Sequence, residues 1–192
     1  MKKIYLILLF NLFYCSNIEQ YQLKPVSVKE FKDFIDATAY KTDAEKYGWS
    51  IVQINVFDFK TVNGATWLKP DGENPSIDNL PVTQVSYRDA VEYCKWAGVN
   101  LPTYDQYWDL VANDKRLIVS DNKHPISPVN KVNVVGNVWD ITENLNSEKV
   151  RLAGGSLFCS KQTCHGTQKD RELYVDKETG NIHVGFSVLI RI

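Results

Sequence analysis

Short helices with clear start signals, separated by long stretches without periodicity, constrain the fold of this chain most. Ser27 and Glu30 have the spacing of a capping box, and the amphipathic segment that follows predicts a helix near residues 28–37. Thr103 and Gln106 repeat that spacing ahead of another helix. The helical part of the fold is therefore expected as small pieces set in irregular backbone.

A third helical segment begins after Ser86 and ends at Gly98, which are an N-cap and a C-terminal residue of the preferred types. Cys94 falls on the same face of this helix as Tyr87 and Val91. We therefore predict that Cys94 is a buried thiol of the core.

Strands are predicted at two places. β-Branched and aromatic residues concentrate at residues 50–59, and hydrophobic residues alternate at 186–192. A tight turn at 69–72 and a loop at 73–82 follow the first strand, and residues 113–134 carry no periodicity. The sequence predicts one α+β domain over residues 17–192, with short helices and much irregular backbone.

Length, composition and charge limit the function. The chain has 192 residues, 44% of them hydrophobic, which is enough for one globular domain and excludes disorder as the main state. Its formal net charge is −1 and its basic residues are spread along the chain, which excludes nucleic acid and an anionic membrane surface as expected partners. A peptide, a small molecule or another protein remains as the expected partner.

The N-terminus has the pattern of an export signal over residues 1–16. Its apolar run, 4–14, is too short to span a bilayer, so no transmembrane helix is expected. Cys15 suggests a lipid anchor, whereas the bulky Tyr14 before it favours a simply cleaved signal. In both cases we expect a periplasmic or envelope-anchored protein, in a compartment where disulfides form.

Cys159 and Cys164 are the candidate reactive pair among the four cysteines. Loss or lipidation of Cys15 would leave three, an odd number that cannot form a pure disulfide framework. The residues alone allow three interpretations of this pair: a small disulfide, two soft metal ligands, or a redox pair. A disulfide would close a very short loop and so add little stability.

Eight segments occur in the order typical of the formylglycine-generating enzyme family, also called the sulfatase-modifying factor family. They are residues 37–49, 64–72, 81–87, 93–98, 101–103, 135–139, 153–156 and 185–186. The chain resembles this family over essentially everything after the leader. The resemblance implies a variant of the C-type-lectin-like fold with short helices and small antiparallel sheets.

The resemblance also implies chemistry for the cysteine pair. Oxidases of this family have Gly-Gly-Ser, two residues, Cys, four residues and Cys, a spacing repeated here by Ser156, Cys159 and Cys164. The two cysteines would bind Cu(I), for which thiolates are suitable soft ligands, and Ser156 would lie beside it. The implied reaction uses dioxygen to convert a cysteine in a Cys-x-Pro-x-Arg segment of a polypeptide, such as a sulfatase, to formylglycine.

A second group of residues resembles the family's structural calcium site. The resemblance implies that the Asn133 side chain, the carbonyls of Gly136 and Val138, and the carboxylate of residue 140 bind Ca²⁺, which prefers oxygen ligands. The family has Glu where this chain has Asp140. The alternative is a turn whose polar groups bond to one another.

Departures from the family keep two functions open. The chain lacks the arginines usual after Cys164 and has Ser187 where the family has Arg after Gly-Phe. One function is a copper-dependent oxidase acting on an exported polypeptide. The other is a non-catalytic lectin-like module that binds ligands or scaffolds the cell envelope, with the cysteines in a disulfide or retained without a role. We expect a monomer in either case.

Overall fold

A computed structural model describes residues 20–55, 58–112, 126–129, 135–144, 147–159, 169–170 and 172–192. The leader with Cys15, Cys164, Asn133 and most of the aperiodic stretch lie outside the described residues. The elements are β1 (Tyr21–Pro25), α1 (Val28–Thr38), α2 (Asp43–Tyr47), β2 (Trp49–Asn55), β3 (Asp58–Asn63), α3 (Tyr87–Ala97), α4 (Tyr104–Val111), β4 (Trp139–Ile141), β5 (Val150–Ala153), β6 (Tyr174–Val175), β7 (Val184–Gly185) and β8 (Ser187–Arg191).

The three helices predicted from start signals are present. Capping boxes begin α1, α3 and α4, because in each the N-cap side chain accepts the N–H three residues on and that residue's side chain bonds back. Gly98 ends α3 in the left-handed conformation, as predicted. Helix α2 was not predicted, although Thr42 and Glu45 begin it with a capping box of the same kind.

The predicted strand at 50–59 is wrong as a single element. The structure has two antiparallel strands there, β2 and β3, which pair Trp49 with Asn63 and Gln53 with Phe59. β-Branched and aromatic composition indicates extended backbone but carries no mark of the point where the chain reverses.

The described part of the chain also forms three small sheets. β1 pairs with β8, β2 pairs with β3, and a four-stranded sheet has the order β6-β5-β4-β7. The strand pairs are antiparallel, as expected, except β4 with β7, which is parallel. The C-terminal strand prediction is confirmed over β8.

Aromatic side chains fill the main core between α1, α3 and the sheets. Phe31 is fully buried and its ring lies 5.5 Å from Trp67, 6.0 Å from Tyr93 and 6.3 Å from Phe186. Cys94 packs into the same core, as predicted. Among the described residues, no helix is long and apolar enough to cross a bilayer.

A buried acidic network fixes α2 against α3. The Asp89 carboxylate accepts the Asp43 N–H at 3.1 Å and the Tyr40 hydroxyl at 3.0 Å. The Ser86 hydroxyl donates to the Asp43 carboxylate at 2.7 Å. Burial raises the pKa of Asp89 to about 6, since desolvation disfavours its charged form.

Candidate functional site

Two glycines lead the chain from β5 into a tight turn. Gly154 and Gly155 have φ of +84° and +75°, in the left-handed region. A Cβ on Gly154 would lie 2.1 Å from the Tyr107 hydroxyl oxygen, so only glycine fits. The four residues that follow, 156–159, are called the cysteine turn below.

Backbone hydrogen bonds close the cysteine turn and fix its sulfur. The Cys159 N–H donates to the Ser156 carbonyl at 2.8 Å, and the Ser156 N–H donates back to Cys159 Sγ at 3.4 Å. The Phe158 N–H is 3.4 Å from Ser156 Oγ. The structure therefore brings Ser156 and Cys159 together, and the serine hydroxyl takes part in the turn itself.

Cys159 is buried and its sulfur is in a disulfide. It packs into the main core with its apolar neighbours. A disulfide sulfur is not a thiolate, so Cys159 can act as a metal ligand only after reduction. Cys164, the other predicted ligand, lies outside the described residues.

The described part of the predicted calcium site lies beside the cysteine turn. The Gly136 N–H donates to the Gly154 carbonyl at 2.8 Å, and the Leu157 N–H donates to the Asn137 carbonyl at 3.0 Å. Gly136, Val138 and Asp140 are in the described structure, whereas Asn133 is not. Backbone hydrogen bonds thus join the described segment 136–140 to the segment 154–157, which contains Ser156.

Asp140 is an acid enclosed by the fold. It lies on β4 with 2% of its surface exposed, and no ion pair to it is formed by the described residues. Burial raises the pKa of its carboxyl to about 7, while the Ser187 and Tyr107 hydroxyls oppose that rise. The oxygens of one carboxylate and of nearby backbone carbonyls are ligands that a hard cation prefers. Ca²⁺ sites usually contain more than one carboxylate, however, so this set is small.

His183 completes this region and was not predicted. It has 5% exposure, and its ring contacts the Phe158 ring edge-to-face, with 4.3 Å between centroids. The Trp139 N–H donates to its carbonyl at 2.8 Å, which ties His183 to β4. Burial lowers the pKa of its imidazole to about 4. No local spacing in the sequence indicates His183, Tyr107 or Ser187 as neighbours of the site, because the fold brings them from distant elements.

An apolar cavity of about 260 Å³ is lined by residues outside the cysteine turn, two of which adjoin residues that contact the turn or its neighbours. Ile182, which precedes His183, lines it, as does Ile126, whose neighbour Ser127 bonds the Asn137 side chain at 2.8 Å. The remaining lining residues lie in and around the loop after β3, and they are Val28, Pro70, Asp71, Asn74, Pro75, Ser76, Ile77, Leu80, Pro81 and Thr83.

The acid of this cavity is ionised at neutral pH. The Asp71 carboxylate accepts the Asn74 side-chain amide and backbone N–H, both at 2.7 Å, and the Glu73 N–H at 2.8 Å. Hydrogen bonding from the Asn74 side chain, the largest effect, lowers the pKa of Asp71. An apolar cavity with an ionised carboxylate suits an aliphatic or cationic side chain of a peptide.

Comparisons with known proteins place these features in context. The family model for the sulfatase-modifying factor enzyme 1-like domain matches residues 17–116. The formylglycine-generating enzyme of Thermomonospora curvata is 41% identical over 105 residues, covering 45% of this chain and 34% of that protein. The inactive C-alpha-formylglycine-generating enzyme 2 of Bos taurus is 28% identical over 172 residues, covering 62% of this chain and 57% of that protein.

A solved structure supports the fold. The structure of PvdO from Pseudomonas aeruginosa aligns with a TM-score of 0.57 at 12% identity, over 88% of this chain and 78% of that chain. At that identity the likeness concerns the fold alone. The matched segment spans about a third of the Thermomonospora protein, 34% of its length.

Proposed function

Because the chain belongs to the sulfatase-modifying factor enzyme 1-like family, we propose that it is a formylglycine-generating oxidoreductase. Its substrate is a cysteine in an exported polypeptide, and the chain acts as a monomer outside the cytoplasm, with a cleaved or lipidated leader. The cysteine turn carries this function, because its backbone hydrogen bonds fix a buried sulfur in a defined position.

Copper(I) is the metal that suits the donor set. Two reduced cysteines, Cys159 and Cys164, would hold it through soft thiolate sulfurs, and the apolar surroundings of Cys159 suit a monovalent ion in a neutral or singly charged site. The Ser156 N–H aimed at Sγ stabilises the thiolate form. When bound, copper supplies the activation of dioxygen.

The chain's own residues bind and orient the polypeptide. The cavity takes one of its side chains, and the Asp71 carboxylate favours a nearby positive charge such as the arginine of a Cys-x-Pro-x-Arg segment. Leu157 and Cys159 are both buried, which keeps water away from the sulfur. Exclusion of water protects a reactive centre from side reactions.

The reaction balances with an external reductant. The substrate CH₂–SH carbon becomes an aldehyde, and its sulfur leaves as hydrogen sulfide. One oxygen atom of dioxygen enters the aldehyde and the other leaves as water, with two electrons and two protons supplied by a thiol reductant. The same reductant would open the disulfide of Cys159 before the metal binds.

A peptide assay tests the proposal. The reduced protein, loaded with Cu(I), is incubated in air with a Cys-x-Pro-x-Arg peptide and a thiol, and the peptide is followed by mass spectrometry and by aldehyde labelling. We expect aldehyde with the native chain and none with Cys159→Ser or Cys164→Ser, whereas Cys94→Ser, a matched control, should react normally. Unchanged peptide with the metal bound would contradict the proposed oxidase.

The disulfide of Cys159 favours a second candidate function. A non-catalytic envelope module would use that bond structurally, and the similarity to an inactive enzyme 2 is consistent with this. Such a module would keep its disulfide under mild thiol treatment and would bind no copper. Thiol alkylation before and after mild reduction separates the two functions.

We also propose a weak calcium site at Asn133, Gly136, Val138 and Asp140. The buried Asp140 carboxylate, to which the described residues form no ion pair, supports it, because a cation would offset the cost of burying that charge. With one carboxylate the affinity is expected in the range of about 10⁻⁴ to 10⁻³ M, typical of extracellular sites.

A further inference from the structure

A second cavity, of about 530 Å³, lies along one side of α3 and is called the α3 cavity below. Its wall on the helix consists of Tyr87, Val91, Cys94 and Gly98, which recur at intervals of three and four residues and so share one face. Its volume is in the range of small-molecule sites, about 300–1,000 Å³. The α3 cavity has no lining residue in common with the cysteine turn or with the apolar cavity.

Glu143 and Lys177 bring opposite charges to the α3 cavity. Both line it and both are half-buried. Within the described residues, neither charged group has an ion pair or a side-chain hydrogen bond, and the Lys177 ammonium lies over the Tyr87 ring, 5.3 Å from its centroid. Lys95, a further cation of this cavity, already pairs with Glu92 at 2.6 Å. The cavity is therefore complementary to a ligand that carries one charge of each sign.

Backbone hydrogen bonds hold the two charged residues toward opposite ends of α3. The Arg88 N–H, in the first turn of α3, donates to the Lys177 carbonyl at 3.4 Å. The Glu143 N–H donates at 2.8 Å to the carbonyl of Pro102, in the segment that follows α3. With 11 residues, α3 is about 16 Å long. Two or three extended peptide residues span about 7–11 Å, and the long Glu143 and Lys177 side chains can cover the remainder.

The end of the cavity near Glu143 favours a positive charge. Gly98, which ends α3, lines the cavity, and the C-terminal end of a helix carries a partial negative charge. The Glu143 carboxylate is close to the Cys94 thiol, because burial and, after it, the charge of Glu143 raise the pKa of that thiol to about 12. The carboxylate and the helix end therefore favour an amino group in the same region.

We propose that the α3 cavity binds a short apolar peptide of two or three residues by its free ends, with the amino group at Glu143 and the carboxylate at Lys177. Val91 and Leu101, which also line the cavity, supply apolar surface for the side chains of the peptide. This binding site is separate from the cysteine turn and does not depend on the proposed oxidase activity. It is therefore tested on the full chain with its disulfide intact and without metal.

Calorimetric titration of the native chain with four probes tests this binding site. Leucyl-leucine carries both charges, N-acetyl-leucyl-leucine lacks the ammonium, and leucyl-leucine amide lacks the carboxylate. Free leucine carries both charges but is too short to reach both ends of the cavity. We expect leucyl-leucine to bind and each of the other three probes to bind at least about tenfold more weakly, the effect of one lost hydrogen bond to a charged group.

Two variants assign each charge to one end of the peptide. Glu143→Gln and Lys177→Met should each weaken the binding of leucyl-leucine about tenfold or more. Glu143→Gln should cause no further loss with the N-acetyl peptide, and Lys177→Met none with the amide, because the charge that each residue binds is already missing. Lys95→Met is the matched control, since Lys95 lines the same cavity but pairs with Glu92, and affinity should stay within about threefold of native.

Three results would overturn the inference. They are no binding of leucyl-leucine to the native chain, equal affinity of that chain for the free and the blocked peptides, and equal losses of affinity in Lys95→Met and Lys177→Met. The first two need no variant, so they stand even where a substitution impairs folding. None of the three bears on the aldehyde assay of the proposed oxidase, so the two proposals can fail separately.

Discussion

Gly154 has a φ of +84°, and a methyl group on its α-carbon would lie 2.1 Å from the Tyr107 hydroxyl oxygen. Gly154→Ala should therefore destabilise the domain by about 3 kcal/mol or more, because the backbone strain and the collision with a buried side chain add. Gly98→Ala is the matched control, since its φ is +67° but nothing lies within 4 Å of the added carbon. It should cost about 1 kcal/mol.

Urea unfolding of the two variants measures this difference. Equal losses for both would mean that Tyr107 moves away at little cost, and that the cysteine turn does not depend on the close approach of α4.

Asp140 gives the stability of the domain a pH dependence of known sign. Its folded-state pKa of about 7 lies above the ordinary value of 3.8, so its contribution is full below pH 3.8 and is lost as the pH rises through about 7. In the absence of calcium, the free energy of unfolding of Asp140→Asn should therefore rise relative to that of the native chain as the pH increases. The expected change is about 2–4 kcal/mol between acidic and mildly alkaline pH. Urea titrations across this range measure the difference, in which other titrating groups cancel.

Asp71→Asn is a control of opposite sign. The pKa of Asp71 is lowered, so its contribution is present above the ordinary value and is lost as the pH falls. The free energy of unfolding of that variant should fall relative to that of the native chain as the pH rises.

Calcium should stabilise the native chain more at pH 8 than at pH 5.5, and should not stabilise Asp140→Asn. An equal effect of calcium on both chains would contradict the proposed calcium site.

The residues of the site differ in how far the sequence could predict them. Ser156 and Cys159 were found because they belong to a short motif whose spacing survives in the chain. Tyr107, Ser187 and His183 were not, because they come from α4, from β8 and from the residue before β7, and meet only in the folded chain. Burial and a missing hydrogen-bond partner are tertiary properties that no local pattern records.

At the scale of elements, the N-cap of α3 does more than begin a helix. The Ser86 hydroxyl accepts the Asp89 N–H at 3.2 Å and also donates to the buried Asp43 carboxylate at 2.7 Å. Ser86→Ala should cost about 2–3 kcal/mol, since it removes the cap and leaves a buried carboxylate with one bond fewer.

Thr103→Ala is the matched control on α4. The Thr103 hydroxyl accepts the Gln106 N–H at 3.2 Å in a partly exposed capping box, so its loss should cost about 1 kcal/mol. Chemical denaturation compares the two variants. Losses of equal size would indicate that the bond between Ser86 and Asp43 contributes no net stability.

Helix start signals predicted α1, α3 and α4 because capping is a local interaction between residues three apart. The same signal is present at Thr42, but α2 has five residues and is too short to show an amphipathic period. The reversal between β2 and β3 was missed for another reason: the run predicted as one strand contains both partners of the hairpin. Composition indicates that backbone is extended, and pairing decides where it turns.

At the scale of the whole molecule, local stability should differ between the sheets. β3 is exposed along most of its length, whereas β4 is entirely buried. Hydrogen exchange should therefore be faster in the β2–β3 hairpin than in β4 and β5 by about tenfold or more, because the hairpin can open without exposing the core. Mass spectrometry of exchanged peptides measures this difference in exchange rate. Equal protection of the hairpin and of β4 and β5 would mean that the domain opens only as one unit.

The first described strand and the last lie side by side. β1 pairs with β8 over Tyr21 to Arg191, and the Ile192 N–H donates to the Gln20 carbonyl at 3.0 Å. A tether, fluorophore or affinity tag joined at Gln20 or at Ile192 would therefore leave the domain from the same edge. Protein immobilised through either of these residues should present the same face to a soluble polypeptide, and a circular permutant of residues 20–192 with a short linker across this edge should fold.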